Sequence, residues 1–346
     1  MSKFRENKMR AMTIDFTAGA GVLHYSELPV PKPAAGELLV KVSATGVNRA
    51  DIILLDPDTP LPLVDRPATP GLEVCGEVVA LGDGVEDFRP GDRVAALSPS
   101  AGGYAEYCCV PASLAWSVPG SLGALAAAAL PEALVTLWNA LFRNADTNHG
   151  TSLLVHGGSS GVGSMAIKLA HMLGGFDTIL ATAGSQEKCE AMQTWGVHRA
   201  INYRTEDFAD AVREETGGLG AEVILDMVGG AYIERNIGAA ARRGRIVQMG
   251  MMGGNKGTVD IAQLMAKQVT LRGATIWFQT VKEKAVLAAE IRERVWPQVA
   301  IGNLQPVLDS VFPLGRASEA MERMQSSAHI GKILLSPTSS DVELLN

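Results

Sequence analysis

"LLVHGGSSGVGSMAIKLA", residues 153–170, runs from a short apolar stretch through glycines and serines into a small-residue helical pattern. Residues 152–156 read as a strand and 161–173 as a helix. Gly157, Gly158, Ser159, Ser160 and Gly161, continued by Val162 and Gly163, therefore form the mouth of that helix. Backbone without Cβ atoms turns tightly and comes close to a ligand, while a helix N-terminus offers unpaired N–H groups and the positive end of its dipole. A diphosphate matches both properties. The spacing from Gly158 is G-x-x-G-x-G rather than the standard G-x-G-x-x-G, and its place between strand and helix identifies a dinucleotide loop.

Strand and helix patterns alternate beyond the loop. Strands are expected at 178–183, 200–203, 222–227 and 245–249, and helices at 186–194, 207–215 and 232–241. Repeated βα units require right-handed crossovers, hence a parallel, doubly wound sheet of the Rossmann type. The first third differs: Pro and Gly breakers separate short runs at 38–42, 77–81 and 104–110, the texture of a β-rich domain. A long helical pattern at 282–299, another at 317–325 and a closing strand in "GKILLSP" imply a return to that first domain. The expected class is α/β, with bounds at 1–130, 131–273 and 274–346.

A chain of 346 residues is long for one domain, and 47% hydrophobic against 19% charged residues places it among compact globular proteins. The net charge of -7 argues against nucleic acid or an anionic membrane as the main partner. Four cysteines without a C-x-x-C pair read as reduced, cytoplasmic thiols. The opening MSKFRENKMR has no apolar core, so no signal peptide is expected. The apolar run 122–142, broken by Pro131 and Glu132, reads as buried helices or a domain-joining helix rather than a membrane span.

The end of the second strand selects the dinucleotide. A site for NAD usually places an acid there, about 20 residues past the glycines. The segment "ATAGSQEK" has Gly184 and Ser185 instead, and Ser185, Lys188, Tyr203 and Arg204 are suited to a 2'-phosphate. NADPH is the expected cofactor. No Y-x-x-x-K pair occurs, and His156 reads as a loop-tethering residue rather than a base.

"GVNRAD", "GLEVCGEVVALGDGVEDFRPGDRVAAL", "GGYAEYCCVP", "ALPEALVTLWNALF", "INYRTEDF", "ILDMVGGAYIERNI" and "HIGKILL", with the glycine loop, resemble the zinc-independent quinone oxidoreductases of the medium-chain dehydrogenase/reductase superfamily, in particular the p53-inducible branch. The resemblance covers nearly the whole chain. It implies a GroES-like catalytic domain and a Rossmann domain with the active site in the cleft between them. It also implies NADPH as hydride donor, quinones or α,β-unsaturated carbonyls as acceptors, and a homodimer formed through the edges of the cofactor domains, with a tetramer as the alternative. Asn48 is then expected beside the nicotinamide, as donor to the acceptor oxygen or as a loop-fixing amide, with Asp51 as an anchor. Gly184, Lys188 and Tyr203 surround the 2'-phosphate.

Where zinc-dependent relatives carry a thiolate and an imidazole, this chain has Val47 or Asn48 and Leu72, so no zinc site is expected. It departs from the branch in "LLDPDTP" at 54–60, where the expected tyrosine and glycine fall at Thr59 and Pro57. Trp277 stands for a frequent arginine and Lys168 for a common glutamine. An enoyl-thioester reductase, or an NADPH-binding sensor or structural protein with little turnover, are the other functions this pattern allows.

Overall fold

Short apolar runs between Pro and Gly breakers form strands in the computed structural model, which describes residues 8–17, 19–58, 68–145, 152–173 and 175–337. The chain divides into two units, one built from Met1–Glu132 and Trp277–Asn346 and the other from Ala133–Ile276. In the first, β1 (Lys8–Asp15) and β2 (Val22–Pro29) pair as an antiparallel ribbon. Next come β3 (Glu37–Gly46), α1 (Arg49–Ile53), β4 (Glu73–Leu81), β5 (Arg93–Leu97), β6 (Tyr107–Pro111), β7 (Ala115–Ser117) and α2 (Ala124–Ala128). Tyr104, expected in a strand with β6, instead accepts a hydrogen bond from the Met12 N–H, so the ladder to β3 begins only at Tyr107.

Pro131 opens α3 (Pro131–Leu137), which continues as a π-helical segment, Trp138–Asn144. The run Ala124–Asn144 is long and apolar enough to cross a membrane by length and composition, but 72% of its apolar window is buried inside the protein. That burial is the property of a core helix.

The second unit alternates β8 (Ser152–Val155), α4 (Gly161–Leu173), β9 (Thr178–Ala183), α5 (Gln186–Gln193), β10 (Arg199–Asn202), α6 (Phe208–Glu215), β11 (Ala221–Asp226), α7 (Tyr232–Ala239), β12 (Ala240–Gln248), α8 (Ile261–Lys267) and β13 (Thr270–Gly273). All pairs are parallel, in the order β10-β9-β8-β11-β12-β13. This is the doubly wound Rossmann arrangement expected from the sequence, with its reversal between β8 and β11. Leu154, Leu180, Ile224 and Ile246 of four strands pack with Phe208, Val212 and Ile237 of α6 and α7. Each such burial contributes about 1.5–3 kcal/mol. Strand β12 starts before the expected residue 245 because Ala240 pairs with Ala221 ahead of a register shift, and Arg243 turns the chain at φ 64°.

The chain then returns to the first unit with α9 (Val281–Arg294), α10 (Trp296–Ala300), β14 (Leu308–Pro313), α11 (Ala317–Gln325) and β15 (Lys332–Ser336). One helix was expected over 282–299. Pro297 divides it, because it has no N–H to continue the ladder and is tolerated only in the first turn of the new helix. The larger sheet runs β14-β15-β3-β4-β5-β7, with β6 on β3. Strand β15 lies antiparallel to β3, Leu334 opposite Gly46, which carries Lys332 to the end of β3.

Candidate functional site

The glycine loop leaves β8 at His156 and enters α4 at Gly161. Ser160 caps the helix: its Oγ accepts from the Gly163 N–H at 3.0 Å and donates to the Gly157 carbonyl at 2.8 Å. Gly163 has no room for a side chain, because a Cβ would collide with the Gly157 carbonyl and the Gly158 Cα. The Gly158 N–H donates to the Thr182 carbonyl at 2.9 Å, so it serves the close approach of the chain rather than an anion. By position, the N–H groups of Gly161 and Val162 lie in the first turn of α4, with no acceptor within the helix. These groups, with Ser159, are the donors the loop offers an anion.

His156 anchors the loop through a buried chain of hydrogen bonds. Its Nε2 lies 2.7 Å from Asn236 Oδ1 and its Nδ1 3.1 Å from Thr182 Oγ1. The Asn236 amide donates to Asp226 Oδ2 at 2.9 Å, and Asp226 Oδ1 accepts from the Val228 and Gly229 N–H groups. An amide that gives its N–H to a carboxylate turns its oxygen toward the ring, so Nε2 of His156 carries the hydrogen and Nδ1 accepts from Thr182. Burial lowers the His156 pKa, and the ring is neutral. The chain ties the tips of β8, β9 and β11 together at the sheet reversal. The letters of Gly157–Gly161 also spell the serine elbow G-x-S-x-G, but both nitrogens of His156 are engaged and Ser159 has no base there.

At the end of β9, the side chain of Ser185 caps α5 by accepting from the Lys188 N–H. Tyr203 donates its N–H to the Ala183 carbonyl, and its ring covers Gly184. A Cβ on Gly184 would stand 2.5 Å from Tyr203 Oη, with Arg204 Nε at 3.5 Å. A longer side chain would have to push the exposed Tyr203 ring aside. What surrounds the spot is a phenol and a guanidinium, and the half-buried Lys188 lies in the first turn of α5 that follows it.

In the first unit a second buried cluster centres on Asn48, which precedes α1. Lys332 Nζ donates to Asn48 Oδ1 at 2.5 Å and pairs with Glu73 Oε1 at 2.5 Å, while Asn48 Nδ2 donates to the same Glu73 oxygen at 2.9 Å. The other Glu73 oxygen accepts from the Glu132 N–H. Gly46 makes room for this group, since a Cβ there would collide with Glu73 Oε1 and Lys332 Cε. Asp51 holds the backbone: Oδ2 accepts from the Asn48 N–H at 2.8 Å and from the Tyr104 hydroxyl at 3.2 Å, and Oδ1 from the Gly71 N–H at 2.9 Å. Burial pushes Asp51 up to about 7, against the opposing pull of these donors and of the Lys332 charge.

Residues 34–120 match the family model described as the alcohol dehydrogenase GroES-like domain, and residues 161–290 match the zinc-binding dehydrogenase model. The quinone oxidoreductase of Lama guanicoe is 32% identical over 331 residues, 94% of this chain and 97% of that protein. The chain belongs to the quinone oxidoreductase family. Among solved structures, a Pseudomonas syringae quinone oxidoreductase superposes with a TM-score of 0.84 at 26% identity, covering 95% of this chain and 100% of the other. The mycobacterial protein Rv1454c, solved in complex with NADPH, gives 0.83 at 30% identity over the same shares.

In this family member the loop residues Gly158, Ser159, Ser160, Gly161, Val162 and Gly163 lie on one turn. Gly184, Ser185, Lys188 and Tyr203 gather at the tips of β9 and β10. Asn48 sits in the other unit. Among the described residues no group of three or more His, Cys, Asp or Glu is arranged to hold a metal ion. Of the segment 54–60, where the sequence departs from the pattern it resembles, Thr59 and Pro60 lie outside the described residues. Sequence reasoning missed Met227, whose sulfur would lie 2.9 Å from a Cβ on Gly157, and the Glu73 and Lys332 partners of Asn48. A glutamate in an apolar strand and a lysine in "GKILL" were the available signals, since a buried charge requires a partner.

Proposed function

We propose that this protein is an NADPH-dependent oxidoreductase that reduces quinones or α,β-unsaturated carbonyls without zinc. The observation that carries the cofactor choice is the closure of Gly184 by Tyr203, with Arg204 beside it. A carboxylate at that position would have to displace the Tyr203 hydroxyl and would take the place of the donors there. A phosphate suits the donors present. Gly157, Gly158 and Gly163 let the loop pack closely against Met227, Met192 and its own backbone, and Ser159, Gly161 and Val162 at the helix mouth would hold the diphosphate. When bound, NADPH supplies the hydride; the protein orients the partners and excludes water.

Asn48 is the proposed donor to the acceptor oxygen as negative charge develops, with solvent supplying the proton. Val47, Asn48 and Leu72, at the positions where zinc-dependent relatives hold the metal, support zinc independence. The protein would work in the cytoplasm, as its free cysteines suit. A homodimer would form through β13, whose residues are all exposed and which among the described strands pairs only with β12, together with exposed Ile261 and Met265 of α8.

The test is turnover. NADPH mixed with the protein and either 1,2-naphthoquinone or a simple enone should lose its absorbance with saturation kinetics. No turnover across a broad acceptor panel, with tight NADPH binding retained, would replace this reading with that of a cofactor sensor.

A further inference from the structure

We propose that Lys332 and Glu73 are positioning residues that fix the Asn48 side-chain amide in one orientation and polarise it, so that a buried ammonium acts on the acceptor oxygen through Asn48. This inference rests on the proposal that Asn48 meets that oxygen.

The chemistry of the three groups admits only one arrangement. An ammonium only donates and a carboxylate only accepts, so Asn48 must turn Oδ1 to Lys332 and Nδ2 to Glu73. One Nδ2 hydrogen is engaged by Glu73. Among the described residues the other has only the Gly46 carbonyl, at 3.5 Å, the outer limit of a useful hydrogen bond. That hydrogen is the one left for a developing oxyanion. Lys332 donates to the oxygen of the same amide and draws electron density toward it. The N–H becomes a stronger donor, as expected for hydrogen bonds linked in series in a low-dielectric site.

Burial makes the arrangement durable. Glu73 and Lys332 are 0% and 3% exposed and Asn48 5%, so water does not screen the pair. Fixing one amide rotamer does not in itself require a charged pair, since neutral donors and acceptors could do it at a smaller desolvation penalty. A net ion pair aimed at an amide with one hydrogen in reserve is the arrangement expected when the cation's field is to be passed on. Gly46 supports the same conclusion, because any side chain there would displace both charges.

The experiment compares the parent with the charge-neutral double variant Lys332→Met/Glu73→Gln, because Lys332→Met alone would strand a buried carboxylate and unfold the chain. Selective 15N-asparagine labelling gives the side-chain N–H pair of Asn48, assigned by its loss in Asn48→Ala. In the folded double variant that pair should shift and broaden, and kcat should fall about ten- to hundredfold, the range for hydrogen-bond partners one step behind a working group, while NADPH affinity stays unchanged. Unmoved Asn48 resonances together with parental kcat would overturn the inference. Should Asn48→Ala itself keep parental kcat, the proposed role of Asn48 fails, and the resonances alone still decide whether Lys332 and Glu73 hold its amide.

Discussion

At the scale of single residues, Gly184 acts through the side chain it lacks. Gly184→Asp drives a carboxylate into the Tyr203 hydroxyl and toward any 2'-phosphate, so NADPH should bind at least about tenfold more weakly, the worth of one charge-assisted hydrogen bond. Fluorescence titration checks this, and unchanged affinity would show that the phosphate does not lie there. Asp51 makes a pH-dependent prediction. With its pKa at about 7, it takes up a proton as pH falls through neutrality and loses acceptor capacity toward three donors, one of them the Asn48 N–H. The pH profile of kcat/KM should therefore fall below about pH 7, and Asp51→Asn should abolish that limb. The sign for stability is opposite: a carboxyl raised above its ordinary value of about 3.9 binds its proton more tightly when folded, so its contribution is lost as pH rises toward 7.

Among the elements, the hydrogen-bonded chain from Thr182 through His156 to Asp226 joins three strand tips. Burial lowers the His156 pKa below its unfolded value, so the unfolded chain binds the extra proton and stability falls as pH drops below about 6.5. Urea unfolding of His156→Leu between pH 5 and 8 should show a shallower acid slope than the parent; an identical slope would assign that dependence elsewhere. Lys267 closes the C-terminal end of α7, with Nζ donating to the carbonyls of Ile237, Gly238 and Ala240. Lys267→Met should lower the unfolding free energy by about 1–3 kcal/mol, read from the urea midpoint. The sequence made α4 and β9 legible to the residue, because a glycine loop opens the helix and a short β-branched and apolar run ends at Gly184. The start of β12 was hidden because "RRGR" reads as a loop while long-range pairing with β11 overrides it. The partners of Asn48 were hidden for the same reason: Glu73 and Lys332 are 259 positions apart and meet only when β15 pairs with β3.

For the whole molecule, an exposed β13 edge beside apolar α8 residues is the surface a second copy would cover. Met265→Lys/Leu271→Lys should leave a folded monomer by light scattering if the parent is a dimer built on that edge; an unaltered dimer would place the interface elsewhere. The fold followed from the alternation of strand and helix patterns around one glycine loop, and the cofactor choice depends on the donors gathered at Gly184. The most direct measurement is calorimetric titration of the protein with NADPH and with NADH under the same conditions. Binding of NADPH at least about tenfold tighter is predicted from the extra charge-assisted contacts to one phosphate; equal affinity, or tighter binding of NADH, would contradict it.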